Sequence, residues 1–311
     1  MIVSSKFDIN TKDDAVVVIG NFDGVHLGHQ SLFNKAFELA EKHDLKKICV
    51  TFEPHPKEYF SRLNNTDKLP RLTLFKDKCN LLIQSGFDLV WIMKFNKITA
   101  NLSPNDFIKK LADNFNSKLL LVGQDFKFGK DRAGNIELLQ QAARDYNFEL
   151  VVAQDYLIDN QRVSSNLIRE QLDSGKLSQV KKHLGRNYGF TGRVVEGQKK
   201  GRQIGYPTVN INVKPDQLLL AKGVYAVYIT YKTQKYKAMA NWGVRPTLSE
   251  TPQLVLEAHM FDFNQNIYGQ EVTIEFIEKV RDEKKFSSLM ELQSQLAEDA
   301  RVIKKILEDK V

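Results

Sequence analysis

Cysteine is scarce in this sequence, and long apolar runs and blocks of basic residues are missing from it. Only two of the 311 residues are cysteine. Cys49 and Cys79 lack CxxC spacing, which fits free thiols in a reducing compartment better than a disulfide framework. No apolar run reaches the length of a membrane span, and the first ten residues lack the basic segment and apolar core of a secretory leader. We therefore expect a cytoplasmic protein without a membrane partner.

The basic residues are spread along the chain and form no stripe. The formal net charge is +7, but Asp and Glu are interleaved with Lys and Arg nearly everywhere, and no RNA-recognition signature is present. Such a surplus also attracts small polyanions such as ATP, so we expect no nucleic-acid partner. Hydrophobic residues make up 42% and charged residues 27%, as in globular proteins, and the length predicts two domains.

The most informative stretch is VVVIGNFDGVHLGHQ, at 16–30. Its β-branched run, Val16–Ile19, predicts a strand buried on both faces, and an amphipathic helix is predicted to begin at about 29–31. The turn between them has three glycines, which allow unusual dihedrals and close approach to a ligand: Gly20, Gly24 and Gly28. His26 and His29 would face one small volume at the positive end of the helix, which is typical of a phosphate site.

Two imidazoles placed there can donate hydrogen bonds to phosphate oxygens and stabilise the charge that develops when an α-phosphate is attacked. They could instead cap or pack the helix. A structural metal has less support, because no carboxylate or third histidine stands at ligand spacing nearby. The stretch lacks both the G-x-G-x-x-G dinucleotide fingerprint and the Gly-Lys-Ser/Thr of a P-loop.

The first half of the chain alternates predicted strands and helices, which indicates a parallel doubly wound sheet. The predicted strands are 16–19, 46–52, 88–95, 118–122 and 148–153. The predicted helices include 75–84 and 135–146, and another begins at Ser103-Pro104 with serine as the N-cap.

Three further groups of residues fall where such a sheet places ligands. His55, between two prolines, follows the second strand. The loop at 123–134 has polar and aromatic side chains that could hold a base or ribose, namely Asp125, Phe126, Phe128 and Arg132. Ser164 and Ser165 open a helix with Arg169 one turn later, which could bind a triphosphate. The alternatives are a loop histidine, an ordinary connection and a serine N-cap.

Beyond Gly185 the pattern changes to short strands separated by turn signals, so we predict domains at 1–185 and 186–311. Six strands favour closure into an antiparallel barrel. They are predicted at 189–195, 208–213, 223–231, 236–242, 254–261 and 271–276. One long helix, at 286–307, would pack across the barrel.

The chemistry of the second half clusters at GQKKGRQIGYPTVN, 197–210. Its glycines and cations could close over phosphates: Gly197, Lys199, Lys200, Gly201, Arg202 and Gly205. Pro207 follows, and the side-chain oxygens of Thr208 and Asn210 are hard ligands of the kind that Mg²⁺ accepts beside waters and phosphates. A basic β-hairpin would look similar.

Glu257 is a candidate base for the second half. Alternation along its strand puts Glu257 on one face with Val255, His259 and Phe261, so we expect a carboxylate among apolar neighbours. It could deprotonate a primary alcohol for attack on a γ-phosphate, or it could face water at the mouth of the barrel.

VVVIGNFDGVHLGHQ, TFEPHP, LSPNDFIKKL, VGQDFKFG and SSNLIR resemble, in order and spacing, the adenylyltransferase module of bacterial riboflavin kinase/FAD synthetases. The resemblance implies that ATP binds Gly20, Phe22, Asp23, Gly24, His26, Gly28, His29, Ser164 and Arg169. It also implies that His55, Asp125, Phe128 and Arg132 line the nucleotide and flavin site. The family usually has threonine after the serine pair; here Asn166 replaces that hydroxyl with an amide.

GRVVEGQKKGRQIGYPTVNI, NWGVRPT, LEAHMFDFNQNIYG and RDEKKF resemble the riboflavin kinase module of the same family. This resemblance implies ATP binding by Gly197, Lys200, Gly201, Arg202, Pro207, Thr208 and Asn210. It further implies Mg²⁺ on Thr208 and Asn210, flavin binding by Arg281 and base catalysis by Glu257. Val209 stands where the family usually has alanine.

The family resemblance implies a Rossmann-like nucleotidyltransferase domain followed by a six-stranded barrel with a C-terminal helix. The implied enzyme phosphorylates riboflavin to FMN and adenylylates FMN to FAD with release of pyrophosphate, using ATP and Mg²⁺. One alternative is an enzyme that retains a single activity, which Asn166 makes worth testing. Another is a nucleotide- or RNA-binding regulatory protein with both folds. The sequence predicts no oligomeric state.

Overall fold

The computed structural model describes residues 2–4, 11–66, 70–197, 205–213, 220–245 and 253–308. Contacts divide the chain into two compact units, Met1–Leu69 with Phe75–Ser164 and Pro70–Leu74 with Ser165–Val311. Residues 165–184, which the sequence analysis assigns to the first domain, group here with the barrel. The domain boundary at Gly185 stays a prediction.

The first unit contains a six-stranded parallel sheet in the order β1-β4-β3-β2-β5-β6. Its strands are β1 Ile2–Ser4, β2 Thr11–Ile19, β3 Lys46–Glu53, β4 Leu89–Lys94, β5 Phe115–Gly123 and β6 Glu149–Ala153. Because β2 has β3 on one side and β5 on the other, the strand order reverses at β2. Ligands of open α/β sheets bind at the carboxyl ends of the strands at such a point.

Helices and one small hairpin complete this unit. The helices are α1 Leu27–His43, α2 Pro56–Leu63, α3 Phe75–Gln84, α4 Lys97–Ala100, α5 Pro104–Asn114 and α6 Ile136–Asp145. A 3₁₀ turn spans Lys130–Arg132, and β7 Leu157–Ile158 pairs with β8 Gln161–Arg162. Val16–Ile19 are at most 2% exposed, because helices cover both faces of β2, as its unbroken apolar run predicts.

The sequence analysis missed the edge strand β1, the helices α2 and α4, and the β7–β8 hairpin. After β3, α2 begins at Pro56 with His55 as its N-cap. The helix α2 buries none of its residues.

The second unit contains a closed six-stranded antiparallel barrel, as predicted, in the order β10-β13-β12-β11-β14-β9. Its elements are α7 Ser165–Asp173, α8 Leu177–Leu184, β9 Tyr188–Val195, β10 Val209–Ile211, β11 Gly223–Tyr231, β12 Gln234–Arg245, β13 Gln253–Met260, β14 Glu271–Arg281 and α9 Leu289–Glu308. Val224, Ala226 and Met239 pack against Ile303 and Leu307 of α9 on the outside of the barrel. The alternate residues on these strands therefore point into its interior.

Candidate functional site

The turn that joins β2 to α1 is held in a constrained backbone conformation. Phe22 and Val25 have positive φ angles of 49° and 40°, which a β-branched residue rarely adopts. A Cβ atom at Gly20 would lie 2.7 Å from the Phe22 ring, so glycine is needed there. Each such outlier costs on the order of 1–3 kcal/mol and clusters at functional sites. The surrounding contacts must therefore stabilise this turn.

The structure brings His26 and His29 together at the start of α1. Their rings stack with centroids 3.6 Å apart and planes 17° from parallel. His26 is the N-cap of α1, and its Nδ1 accepts a hydrogen bond of 3.3 Å from the His29 backbone N–H. In neutral His26 the proton must therefore be on Nε2. The helix begins at Leu27, two residues earlier than the sequence analysis expected.

Gly28 and the ring of Phe22 pack against the two imidazole rings and fix their positions. A Cβ atom at Gly28 would lie 3.2 Å from the His26 ring and 3.2 Å from the Val163 carbonyl oxygen, so the segment before Ser164 runs beside the histidines. The His29 ring meets the edge of Phe22 at a centroid distance of 5.3 Å. Phe22 and Asp23 are buried, at 1% and 4% exposure. The turn thus acts as one packed piece that positions His29.

A cavity of about 780 Å³ opens beside this turn at the carboxyl ends of the strands. Gly20 and Asn21 form part of its wall. Its apolar lining consists mainly of aromatic rings: Phe52, Phe60, Phe95, Phe107, Phe126 and Phe128. Charged residues lie at its border: Lys57, Asp125, Lys127, Asp131 and Arg132. A cavity of this size with flat apolar walls and a charged rim suits a planar heteroaromatic ligand that carries phosphate.

The loop at 123–134 forms one wall of the cavity. Phe128 is 5% exposed, its ring centroid lies 5.5 Å from that of Phe126, and a Cβ atom at Gly134 would meet it at 2.6 Å. The Lys130 backbone N–H donates to the Leu102 carbonyl at 2.7 Å, which anchors the loop to the segment before α5. Asp131 and Arg132 both have positive φ, at 54° and 57°. The predicted ligand loop is therefore ordered and backbone-strained where Arg132 meets the cavity.

Asp125 and His55 are both predicted to line the nucleotide site, but the described lining of the cavity includes Asp125 and not His55. Asp125 borders the cavity but forms an ion pair with Arg162, whose Nε also lies 2.9 Å from Asp155 Oδ1. His55 caps α2 by accepting a 3.1 Å hydrogen bond from the Lys57 N–H. Among the residues that the structure describes, Pro56 and Lys57 line the cavity and His55 does not.

Arg169 belongs to the second unit and is 8% exposed. Its Nε donates to the Pro70 carbonyl oxygen at 2.9 Å, and its Nη1 donates to Asn166 Oδ1 at 3.2 Å. The amide that replaces the usual threonine therefore holds the guanidinium of Arg169. A carboxamide oxygen one helical turn before an arginine can do this because residues i and i+3 share a helix face.

The barrel places Glu257 between two amides. In the strand register Glu257 of β13 is directly opposite Asn210 of β10 on one side and Asn241 of β12 on the other. Paired residues of adjacent strands share a face, so all three side chains project from the outside of the barrel. The sequence analysis expected apolar neighbours for Glu257; the cross-strand neighbours are polar, because strand order was not readable from alternation alone.

Gly197 lies close to the side chain of Asn210, which is the cross-strand neighbour of Glu257 on β10. A Cβ atom at Gly197 would lie 2.0 Å from Asn210 Nδ2, so any other residue would displace the amide. Asn210 is 6% exposed, and Thr208 lies two residues before it, just ahead of β10. The other predicted loop residues, Lys199, Lys200, Gly201 and Arg202, lie outside the described residues.

His259 connects strand β13 to the segment before Thr208. Its Nδ1 lies 2.8 Å from the Pro207 carbonyl oxygen, and the edge of the Tyr206 ring meets its imidazole at 5.2 Å. Because a carbonyl only accepts, Nδ1 must carry the proton here. The contact ties Pro207 to the strand that carries Glu257.

Arg281, the predicted flavin contact, forms a partly buried ion pair with Asp299. Its Nε and Nη2 donate to both oxygens of Asp299 on α9 at 2.7–3.1 Å, and its Nη1 donates to the Asp282 carbonyl oxygen at 2.9 Å. Gln295 Nε2 donates to Asp299 Oδ1 at 3.0 Å. Its observed partners fasten α9 to the barrel, and a flavin contact stays a prediction.

Sequence reasoning missed Lys78, which is buried on α3 at 3% exposure. Burial raises the pKa of the Cys49 thiol, and the charge of Lys78 opposes that shift. The signal was available: Lys78 lies four residues before the fully buried Leu82, on the apolar face of α3. Arg162 and Lys57 were also missed, and neither lies in a motif that marks it.

Within the described ranges, no cluster of three or more His, Cys, Asp or Glu side chains could hold a metal ion. Mg²⁺ in phosphoryl-transfer sites typically uses one or two protein oxygens with waters and substrate phosphates. The donor set of Thr208 and Asn210 fits that mode of binding.

The first unit is a parallel α/β sheet with two stacked histidines at a helix N-terminus, and the second is a six-stranded barrel with a carboxylate flanked by amides. A model of the FAD synthetase family matches residues 8–167, and a model of the riboflavin kinase family matches residues 184–307. The chain belongs to the family of bifunctional riboflavin kinase/FMN adenylyltransferases.

Three relatives illustrate this membership, and each is named bifunctional riboflavin kinase/FMN adenylyltransferase. The protein of Haemophilus influenzae is 40% identical over 93% of this chain and 92% of its own. That of Escherichia coli K12 is 37% identical over 93% and 91%, and that of Bacillus subtilis is 34% identical over 92% and 90%.

A solved structure shares the whole fold. The crystal structure from Streptococcus pneumoniae, described as a macrolide-efflux protein, superposes with a TM-score of 0.86 at 32% identity. The likeness covers 97% of this chain and 98% of that one. In the part of this chain that the structure describes, no helix combines the length and apolarity needed to cross a bilayer.

Proposed function

We propose that this chain phosphorylates riboflavin to FMN in the barrel and adenylylates FMN to FAD in the α/β unit, with ATP as the donor in both steps. The proposal is carried by the presence of two chemically distinct clusters of side chains in one chain of this family. The first unit has the stacked histidines at the start of α1, and the barrel has Glu257 with Asn210 and Asn241 on the neighbouring strands. A cytoplasmic location and the absence of nucleic-acid partners stay predictions.

The aromatic cavity of the first unit supports the FMN subsite. Phenylalanine rings on its walls would pack against an isoalloxazine, and Lys57, Lys127 and Arg132 at its border would attract the phosphate. The turn that carries His26 and His29 adjoins the cavity through Gly20 and Asn21, so ATP would bind on the histidine side. The FMN phosphate oxygen then attacks the α-phosphorus of ATP, and pyrophosphate leaves.

His26 and His29 would stabilise the charge of this transfer. His26 Nδ1 is used by the helix cap, so its Nε2–H is the donor for a phosphate oxygen. Ser164 would bind the leaving phosphates. A phosphate contact of Arg169, whose guanidinium Asn166 holds, stays a prediction. Catalysis of this kind needs positioning and electrostatics, and no covalent intermediate on the protein.

In the barrel, Glu257 would accept the proton of the riboflavin primary hydroxyl as that oxygen attacks the γ-phosphorus of ATP, and ADP leaves as the bond from the γ-phosphorus to the bridging oxygen breaks. Asn210 and Asn241 are the cross-strand neighbours of Glu257 and would orient its carboxylate. Thr208 and Asn210 would hold Mg²⁺, which neutralises phosphate charge when bound. His259, through Pro207, would keep this segment in register with Glu257.

The test separates the two activities in the full chain. Purified protein is incubated with riboflavin, ATP and Mg²⁺, and FMN and FAD are resolved chromatographically. Glu257→Gln should reduce riboflavin phosphorylation by about a hundred- to ten-thousand-fold while added FMN is still converted to FAD. His29→Ala should block FAD formation and leave phosphorylation intact.

Matched controls exist in both units. Glu278→Gln changes an exposed carboxylate of the same barrel, and His43→Ala changes an exposed histidine at the other end of α1. Both should leave both rates at the wild-type level. Wild-type protein that makes FMN but no FAD, or the reverse, would support the single-activity alternative. Salt-sensitive retention on RNA without either product would support the regulatory alternative.

A further inference from the structure

A buried lysine fastens the histidine turn to the sheet. Lys78 Nζ, on α3, donates to Thr51 Oγ1 at 3.2 Å, to the Phe52 carbonyl oxygen at 3.2 Å and to the Asn21 carbonyl oxygen at 3.4 Å. Thr51 and Phe52 are near the end of β3, and Asn21 begins the turn after β2. One ammonium group therefore joins α3, β3 and the turn.

The Asn21 carbonyl receives two of these bonds. Thr51 Oγ1 donates to it at 3.2 Å, in addition to Lys78. Thr51 is fully buried and Lys78 is 3% exposed, so water competes little with either contact. Thr51 and Lys78 thus hold the peptide between Asn21 and Phe22, just before the backbone turns to positive φ at Phe22.

The contacts continue from this peptide to the catalytic ring. Phe22, the next residue, touches the His29 imidazole edge-on at 5.3 Å and Phe33 of α1 at 5.0 Å. Strained conformations persist only where surrounding contacts over-determine them. Release of the Asn21 carbonyl would let the turn relax, and the Phe22 ring and His29 would move with it.

We propose that Lys78 is a positioning residue for adenylyl transfer: its ammonium group holds the turn at Asn21, and through Phe22 it keeps His29 stacked on His26. The same contacts hold the edge of the flavin cavity, since Asn21 and Phe52 both line it. The inference rests on the proposed adenylyltransferase function of this unit. It assigns a role to a lysine that lies outside the histidine motif and the ligand loop.

The first measurement needs no activity. The chain has only six histidines, so the imidazole signals in a proton–carbon NMR spectrum can be assigned by single substitutions. Ring stacking at 3.6 Å shifts the signals of His26 and His29. Lys78→Met, which fills the space without donors, should move these two signals and leave those of His183 and His259 unchanged. Lys76→Met, at an exposed position on the same helix, should move neither pair.

The second measurement is kinetic. Lys78→Met should lower kcat for FAD formation from FMN by about ten- to a hundred-fold, the effect of a small misplacement of catalytic groups, with a smaller change in KM for ATP. Lys78→Arg, which keeps charge and donors, should recover part of kcat. Riboflavin phosphorylation by the same protein should stay at the wild-type rate, and fluorescence of the buried Trp91 serves as the control for folding of the first unit. If Lys78→Met does not fold, Lys78→Gln, which keeps two N–H donors, replaces it and should lie between wild type and Met-like loss.

The outcomes are separable from those of the proposed function. Wild-type protein without FAD formation would refute the proposed function, whereas the NMR comparison would still test the turn. Unmoved His26 and His29 signals together with wild-type kcat in Lys78→Met would overturn the positioning role. A rise in KM for ATP with unchanged kcat would also overturn it, since that pattern indicates a loss of uniform substrate binding and no misplacement of the catalytic groups.

Discussion

Removal of the Asp299 carboxylate should destabilise the barrel more than any exposed substitution on α9. Asp299 is 2% exposed and accepts three hydrogen bonds of 2.7–3.1 Å from Arg281, with a fourth from Gln295. In Asp299→Ala the guanidinium of Arg281 would stay in place without its counter-charge. An unpaired buried charge is costly because it has lost its hydration and gained nothing in return.

The magnitude follows from the burial of the two partners. Breaking a buried ion pair by removing one member typically costs about 3–5 kcal/mol. The Arg281 side chain is 21% exposed, so water can partly solvate it, and we expect about 3 kcal/mol, the low end of that range. If the free energy of unfolding falls by about 2 kcal/mol per molar urea, the urea concentration at the unfolding midpoint of the barrel should decrease by roughly 1.5 M.

The assay uses the two tryptophans, one in each unit. Trp242 is 2% exposed in the barrel, and Trp91 is 1% exposed in β4. In a Trp91→Phe background, fluorescence in urea reports the barrel. Glu298→Ala, which removes an exposed ion pair with Arg301 on the same helix, is the control and should leave the midpoint unchanged. An Asp299→Ala midpoint no lower than that control would refute the reasoning.

Three further predictions concern single contacts. Asn166→Ala removes the oxygen that holds Arg169 Nη1 and should raise KM for ATP in FAD formation, whereas Asn166→Thr should keep KM near wild type; steady-state kinetics checks both. Gly197→Ala puts a Cβ atom on the Asn210 amide and should abolish riboflavin phosphorylation but not FAD formation from FMN, measured chromatographically. Hydrogen bonds from the Ser287 backbone and hydroxyl, with Lys284, lower the pKa of Glu291 to about 2. The stabilisation by Glu291 should thus be complete above its ordinary pKa of 4.5 and disappear as pH falls toward 2, seen as converging melting temperatures of wild type and Glu291→Gln.

Local sequence patterns predicted most of the fold because each element carries its own signal. The helix at 75–84 and the strand at 223–231 have the predicted bounds, and the Ser103 N-cap of α5 is where Ser-Pro placed it. Two of the missed elements are only weakly tied to the rest of the fold or very short. The helix α2 has no buried face, and β1 has only three residues.

The candidate sites were predictable only where chain neighbours make them. His26 and His29 are one helical turn apart, so their convergence follows from sequence spacing. The amides that flank Glu257 come from β10 and β12, far away in sequence, and only the register of the closed barrel brings them together. The same holds for Lys78, whose three acceptors lie 26 to 57 residues away.

Capping and catalysis at the first helix are compatible roles of one side chain. His26 uses Nδ1 to accept the His29 N–H, and this bond fixes Nε2 as the protonated nitrogen of the neutral ring. The cap therefore orients the donor that a phosphate oxygen needs, at the end of a helix that already favours anions. His55 follows the same rule at α2, where Nδ1 accepts from the Lys57 N–H. In His259 the rule is reversed, because its Nδ1 donates to the Pro207 carbonyl and leaves Nε2 as the acceptor. A structural hydrogen bond at one ring nitrogen thus determines the chemistry of the other, so evidence that a histidine caps a helix does not count against its participation in catalysis.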